Sequence, residues 1–282
     1  MLLDRRAFLG ALALASCARG QRRSGAADRV VSLSRDHRSS FALDAGARLV
    51  GRSRYCDYPA AAASVRAVGG FVDPSLEAIL AVRPDLVVGV QGPGLRDFAE
   101  RLGARGIDTY FPPTQSFAEI EAMLSGLADR LGVPEKGREL GRELERERIA
   151  VESALRTARR PRALLVFGLR PIVVAGPGSF AHEMLSLAGA ENVIRGDQNR
   201  FPSLGVEQVL ALDPEVVLDA TGGVMREGVR ISKDLPGWSE LPALKRDRLV
   251  VVSDDRVLRP GPRVGQGLAV LARLVHPEVS LL

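Results

Sequence analysis

Two stretches of this 282-residue chain repeat one another without a gap at an offset of 130 residues. They are Glu77-Ala-Ile-Leu-Ala-Val-Arg-Pro84-Asp85-Leu-Val-Val88 and Glu207-Gln-Val-Leu-Ala-Leu-Asp-Pro214-Glu215-Val-Val-Leu218. Each predicts an amphipathic helix opened by a carboxylate, closed by proline and followed at once by a β-branched strand. A second correspondence sets Ala45-Gly46-Ala47-Arg48-Leu49-Val50 against Ala188-Gly189-Ala190-Glu191-Asn192-Val193, with a glycine at a helix end just before a short strand in both. The repeat predicts two related halves, because one helix–strand unit cannot bury its apolar face alone.

Between the halves lies Glu135–Arg160, in which 14 of 26 residues are charged. Its apolar Leu140, Leu144, Val151 and Leu155 recur at spacings of 4, 7 and 4, a narrow stripe along one side of a largely solvated helix. Pro134 precedes it, Arg156, Arg159 and Arg160 suit the negative end of a helix dipole, and Pro161 stops it. Such a helix would be ~39 Å long, enough to act as a strut between domains.

On both sides of the strut, from Val30 to Phe111 and from Ala163 to Val252, strand patterns alternate with helical ones. That alternation predicts parallel sheets covered by helices on both faces. The expected fold is therefore α/β: two Rossmann-like lobes with parallel sheets, joined by a single long helix, with a ligand cleft between them beyond the carboxyl ends of the strands. The expected divisions are an export segment, 1–17; a tether, 18–28; an N-terminal lobe, 29–134; the connecting helix, 135–160; and a C-terminal lobe, 161–282.

The export segment holds Asp4-Arg5-Arg6-Ala7-Phe8-Leu9, a short apolar run and Leu14-Ala15-Ser16-Cys17, too short to span a bilayer permanently. It resembles a twin-arginine (Tat) signal ending in a bacterial lipobox, which implies lipidation of Cys17 and a membrane anchor. An ordinary cleaved signal with an incidental cysteine fits the same residues. Lipidation would leave Cys56 without a disulfide partner, since the chain has 2 cysteines. Of the formal charge of +5, residues 1–28 carry +3, so the remainder is nearly balanced and gives no footing for a nucleic-acid partner.

In the first lobe the chain reads Leu49-Val50-Gly51-Arg52-Ser53-Arg54-Tyr55-Cys56-Asp57-Tyr58-Pro59, then Val68-Gly69-Gly70-Phe71-Val72-Asp73-Pro74-Ser75-Leu76-Glu77. In the second it reads Phe167-Gly168, Gly176-Pro177-Gly178-Ser179-Phe180 and Arg259-Pro260-Gly261-Pro262-Arg263. In order and spacing these resemble the periplasmic cobalamin-binding proteins of ABC importers, class III solute-binding proteins with a helical backbone. The resemblance covers nearly the whole mature chain. It implies an extracytoplasmic solute-binding protein with a cleft between the lobes rather than an active site, with cobalamin or a related corrinoid gripped by Tyr55 and Phe71 from one lobe and Phe167 and Phe201 from the other. Rigid aromatic surface suits a flat, largely apolar macrocycle on physical grounds too. Core packing would account equally for Phe71 and Phe167.

The resemblance also implies that Glu77 and Glu207 meet arginines on the importer's permease, and that the protein acts as a monomer. A glutamate in the first turn of a helix is favourable on dipole grounds alone, so local helix chemistry explains the same residues. Where the family carries a tryptophan after the strand at Leu86–Val88, this chain has Val90 and Gln91. That departure leaves haem or a ferric siderophore open as alternative cargo. For a siderophore, Arg52, Arg54, Arg170 and Arg200 could face anionic oxygens.

Other chemistry finds little support. Gly176-Pro-Gly178-Ser-Phe-Ala181 fits a dinucleotide fingerprint, but Pro177 removes a phosphate-facing donor and a tight turn explains the glycines. His37, His182 and His276 lack ligand spacing, so no metal site is expected. No G-x-S-x-G, H-E-x-x-H, G-x-x-x-x-G-K, C-x-x-C or D-x-H-x-x-G occurs, and neither an enzyme nor a resident cofactor is expected.

Overall fold

The computed structural model describes residues 25–33, 42–56, 60–70, 72–92, 94–196, 199–224 and 230–280. The first half contributes β1 (Val30–Ser32), β2 (Leu49–Arg52), α1 (Leu76–Ala81), β3 (Leu86–Val88), α2 (Leu95–Gly103), β4 (Asp108–Tyr110) and α3 (Phe117–Arg130). Helix α4 (Pro134–Ala154) follows. The second half holds β5 (Arg162–Leu169), β6 (Ile172–Val174), α5 (Phe180–Leu187), β7 (Glu191–Asn192), β8 (Ser203–Leu204), α6 (Val206–Leu212) and β9 (Val216–Asp219). It ends with α7 (Thr221–Val224), α8 (Pro242–Lys245), β10 (Leu249–Val251), α9 (Asp255–Leu258) and α10 (Val264–Val275).

The first sheet is parallel throughout, in the order β2-β1-β3-β4. The second runs β10-β9-β5-β6-β8, with β7 also on β5. Its β10, β9, β5 and β7 are parallel, while β6 and β8 add an antiparallel arm. The expected α/β architecture is thus present, and the mixed character of the second sheet is an addition to it. Of this arm β6 carries a strand pattern in the sequence, whereas β8 has only two residues, too few to show alternation.

The internal repeat extends to the backbone and its hydrogen bonds. Arg83 and Asp213, each just before the repeated proline, adopt left-handed φ of 45° and 43° and so end their helices. The Arg29 guanidinium then donates to the carbonyls of Val82 and Arg83, and that of Arg162 to Leu212, the residue equivalent to Val82. Each arginine also accepts at its own carbonyl: Arg29 from the Asp85 N–H and Arg162 from the Glu215 N–H, both at 2.8 Å.

The connecting helix is shorter than the sequence predicts. It starts one residue earlier, with Pro134 at its first turn, and stops at Ala154, so its 21 residues span ~32 Å. Residues 155–157 form a turn because Leu155 is buried in the apolar core and its carbonyl accepts from Ala158. Arg159 then pairs with Glu215, and Arg160 donates to the carbonyls of Ser186 and Ala190, which fastens this segment to the second half. Upstream, Ala27 is buried and its N–H reaches the Arg130 carbonyl, so the first half is already anchored there.

One apolar cluster crosses the middle of the molecule. It takes Phe117, Ile120 and Leu124 from α3, Leu144 and Val151 from α4, Leu165 and Phe167 from β5, Phe180 and Met184 from α5, and Leu268 and Leu271 from α10. The halves therefore share a core beside α4 rather than hanging from the helix alone.

Candidate functional site

The two halves meet through a reciprocal pair of helix caps. Ser116 caps α3 with its hydroxyl, and Ser179 caps α5 in the same way. Across the boundary, the Phe117 N–H donates to the Glu183 carboxylate at 2.7 Å, and the Phe180 N–H donates to the Gln115 side chain at 3.4 Å. Each half thus satisfies an orphan N–H at the start of a helix of the other. Burial raises the Glu183 pKa, the Phe117 N–H opposes that, and Glu119 adds to it. Neither Gln115 nor Glu183 carries a motif, because their roles depend on contacts 65 and 66 residues apart in the chain.

This clasp adjoins the expected aromatic residues of the second half. The turn Gly176–Ser179 that opens α5 packs against residues 199–202: the Gly176 N–H donates to the Arg200 carbonyl, and a side chain at 176 would collide with the Asn199 carbonyl. Of the two glycines of the apparent dinucleotide fingerprint, Gly176 therefore admits a neighbouring segment of the chain, and Gly178, at a left-handed φ of 74°, serves the turn. Phe167 and Phe201 come together edge to face, with ring centroids 5.7 Å apart and planes at 69°. Phe167 is 7% exposed and belongs to the shared core, whereas Phe201 is 48% exposed. The inner ring braces the outer one, which presents rigid aromatic surface to solvent.

In the first half Tyr55 follows β2 and is 45% exposed. Its ring lies on Gly70, where a Cβ would come within 2.9 Å of the ring edge. The Arg54 guanidinium stands 5.5 Å from the ring centroid and pairs with Asp73. Phe71 and Cys17 lie outside the described residues. Of the arginines considered for anionic cargo, Arg52 is spent on the carbonyls of Ser53, Cys56, Ala63 and Val65, and Arg54 on Asp73. Arg170 and Arg200 are exposed.

Glu77 and Glu207 occupy the same place in both halves, the second residue of α1 and of α6, and both are exposed. Ser75 caps the first helix by accepting from the Ala78 N–H, and the Gln208 side chain turns back to accept from the Gly205 N–H at the second. Those caps leave neither glutamate needed for the purpose.

Two histidines have structural partners: His182 Nδ1 lies 3.0 Å from the Asn192 side chain, and His276 Nε2 lies 3.2 Å from the Gly189 carbonyl. His37 lies outside the described residues. Among the described residues no three His, Cys, Asp or Glu side chains gather as metal ligands would, Cys56 is buried, and no helix is long and apolar enough to cross a membrane.

Residues 30–255 match the family model described as periplasmic binding protein. The Vitamin B12-binding protein of Salmonella typhimurium is 30% identical over 239 residues, which cover 85% of this chain and 86% of that one. Among solved structures, the periplasmic heme-binding protein RhuT from Roseiflexus sp. RS-1 superposes with a TM-score of 0.75 at 28% identity, covering 90% of this chain and 99% of that one. The periplasmic Vitamin B12 binding protein BtuF of Vibrio cholerae superposes with a TM-score of 0.77 at 24% identity, covering 89% and 97%.

Proposed function

The chain belongs to the periplasmic binding protein family, and on that premise we propose that it captures cobalamin or a related corrinoid outside the cytoplasm and delivers it to the permease of an ABC importer. The observation that carries the cargo is the 30% identity to a Vitamin B12-binding protein across 85% of the chain. The exposed Tyr55 and the braced Phe201 are in keeping with it, since a flat macrocycle is held best by aromatic faces with few polar anchors. Tyr55 and Phe71 would grip it from the first lobe, and Phe201, backed by Phe167, from the second. Glu77 and Glu207 would dock on permease arginines, one per lobe, and exposed charges of this kind set recognition and orientation more than affinity. An anchor through lipidated Cys17 would keep the monomeric binder close to its permease. It performs no chemistry on its cargo.

A second reading keeps the role and changes the cargo to haem. It is favoured by the 28% identity to a heme-binding protein over 90% of the chain. A ferric siderophore is a weaker variant, because Arg52 and Arg54 are already engaged within the protein.

Calorimetric titration with cyanocobalamin, haemin and a ferric siderophore decides among them. A one-to-one isotherm for cyanocobalamin alone, weakened by Tyr55→Ala or Phe201→Ala, is the expected result. No heat with cyanocobalamin and a clear isotherm for haemin would retain the importer role and replace the cargo.

A further inference from the structure

Beyond the four aromatic residues already considered, we propose that Phe111 is a further ligand-contacting residue, forming the floor of the cleft on the first lobe. The inference rests on the reading above, that this cleft takes a flat apolar macrocycle. Val88 and Tyr110 are the last paired residues of β3 and β4, so Gly89 and Phe111 stand side by side just past the carboxyl edge of the parallel sheet. Ligands of such sheets bind there. The Gly89 N–H donates to the Tyr110 carbonyl, which fixes the two segments together at 3.1 Å.

Alternation along the strand separates the two neighbouring rings. Tyr110 turns towards α3, where its hydroxyl donates to the carbonyls of Ala122 and Met123 and Arg130 covers its ring at 4.0 Å. Phe111 turns to the opposite face and lies across Gly89. A Cβ on that glycine would come within 3.0 and 3.1 Å of the ring atoms Cε1 and Cδ1. A side chain at 89 would make the ring shift by a few tenths of an ångström.

On this face Val31, Leu33 and Val87 are completely covered, yet Phe111 is only half-buried. The ring thus closes the top of the first-lobe core and leaves apolar area facing the space beyond the strands. From Phe111 the chain runs directly to Gln115, whose side chain accepts from Phe180 of the other lobe. Phe111 therefore stands at the sheet edge and within four residues of the point where the lobes meet. A macrocycle lying between Tyr55 and Phe201 would rest on it.

The test is a calorimetric titration of wild type and of Phe111→Ala, Phe111→Leu, Phe111→Trp and Gly89→Ala with cyanocobalamin, and with haemin if wild type prefers it, alongside thermal midpoints of the unliganded proteins. Phe111→Leu keeps most of the core packing and separates a contact from a fold defect. We expect it to hold its midpoint within a few degrees while Kd rises about threefold to tenfold, the value of an aromatic contact beyond its area. Phe111→Trp restores affinity, and Gly89→Ala weakens it by displacing the ring. Wild-type affinity in both Phe111→Ala and Phe111→Leu would overturn the inference and leave the cargo assignment standing. Wild type that binds neither compound would overturn the cargo assignment, and this inference with it.

Discussion

Asp219 shows how much one side chain can hold at the carboxyl end of β9. It is almost fully buried, and its carboxylate accepts from the Thr221 N–H at 2.9 Å, the Thr221 hydroxyl at 2.6 Å and the Ile231 N–H at 3.2 Å. Asp219→Ala would strand these donors without water, so an unfolding free energy lower by about 2–4 kcal/mol is expected in urea titrations. Asp219→Asn, which retains one acceptor oxygen, should lose less. Glu183 is a residue-scale case with the opposite electrostatics. Burial raises its pKa above the ordinary 4.5, so the folded state holds the proton more tightly than the unfolded chain does. Its contribution to stability is therefore present at acid pH and lost as pH climbs from 4.5 through the raised value. Thermal midpoints of wild type relative to Glu183→Gln, compared from about pH 4 to about pH 8, should fall with rising pH. Asp254 behaves in reverse: its bond to Arg256 lowers its pKa, so what it contributes is present above 3.8 and lost as pH falls through the lowered value.

At the scale of elements, close approach overrides helix propensity. Gly267 lies inside α10, where alanine would ordinarily gain about 1 kcal/mol. A Cβ there would run into the backbone carbonyl of Arg256 in α9, which cannot swing aside as a side chain could. Gly267→Ala should therefore destabilise, by about 1–3 kcal/mol on chemical denaturation. That glycine is unremarkable in sequence, and so is its neighbour Gly265, which packs on Glu147. Features carried by local pattern are legible: the helix–proline–strand repeat and the apolar stripe of α4. The turn after Ala154 is not, because the charged periodicity continues past it and only the burial of Leu155 and the partners of Arg159 and Arg160 stop the helix. In the site, Tyr55 and Phe201 are reached only through the resemblance to a family and not by local pattern. The inter-lobe caps Gln115 and Glu183 left no local signal, since what selects them lies in the other half of the chain.

At the scale of the whole molecule, the question is how far two lobes can move when a ligand enters between them. Three restraints act together. Helix α4 is continuous over 21 residues, and bending it breaks backbone hydrogen bonds. The apolar cluster beside it draws side chains from α3, α4, β5, α5 and α10, and separating the lobes would expose them. The paired caps at Phe117 and Phe180 fix the orientation of α3 against α5 at the base of the cleft. Crossing strands with none of these restraints could hinge widely, whereas this arrangement permits a small tilt. The radius of gyration from X-ray scattering should change by less than about 1 Å when a saturating ligand is added. A permease would then recognise the loaded protein by a surface that is nearly complete before loading, with Glu77 and Glu207 held at a fixed separation by the same restraints. Reversing both charges, Glu77→Lys with Glu207→Lys, should leave the calorimetric Kd for cargo unchanged and abolish uptake by cells that depend on the importer. Uptake at the wild-type rate in that double variant would show that docking uses another face of the lobes.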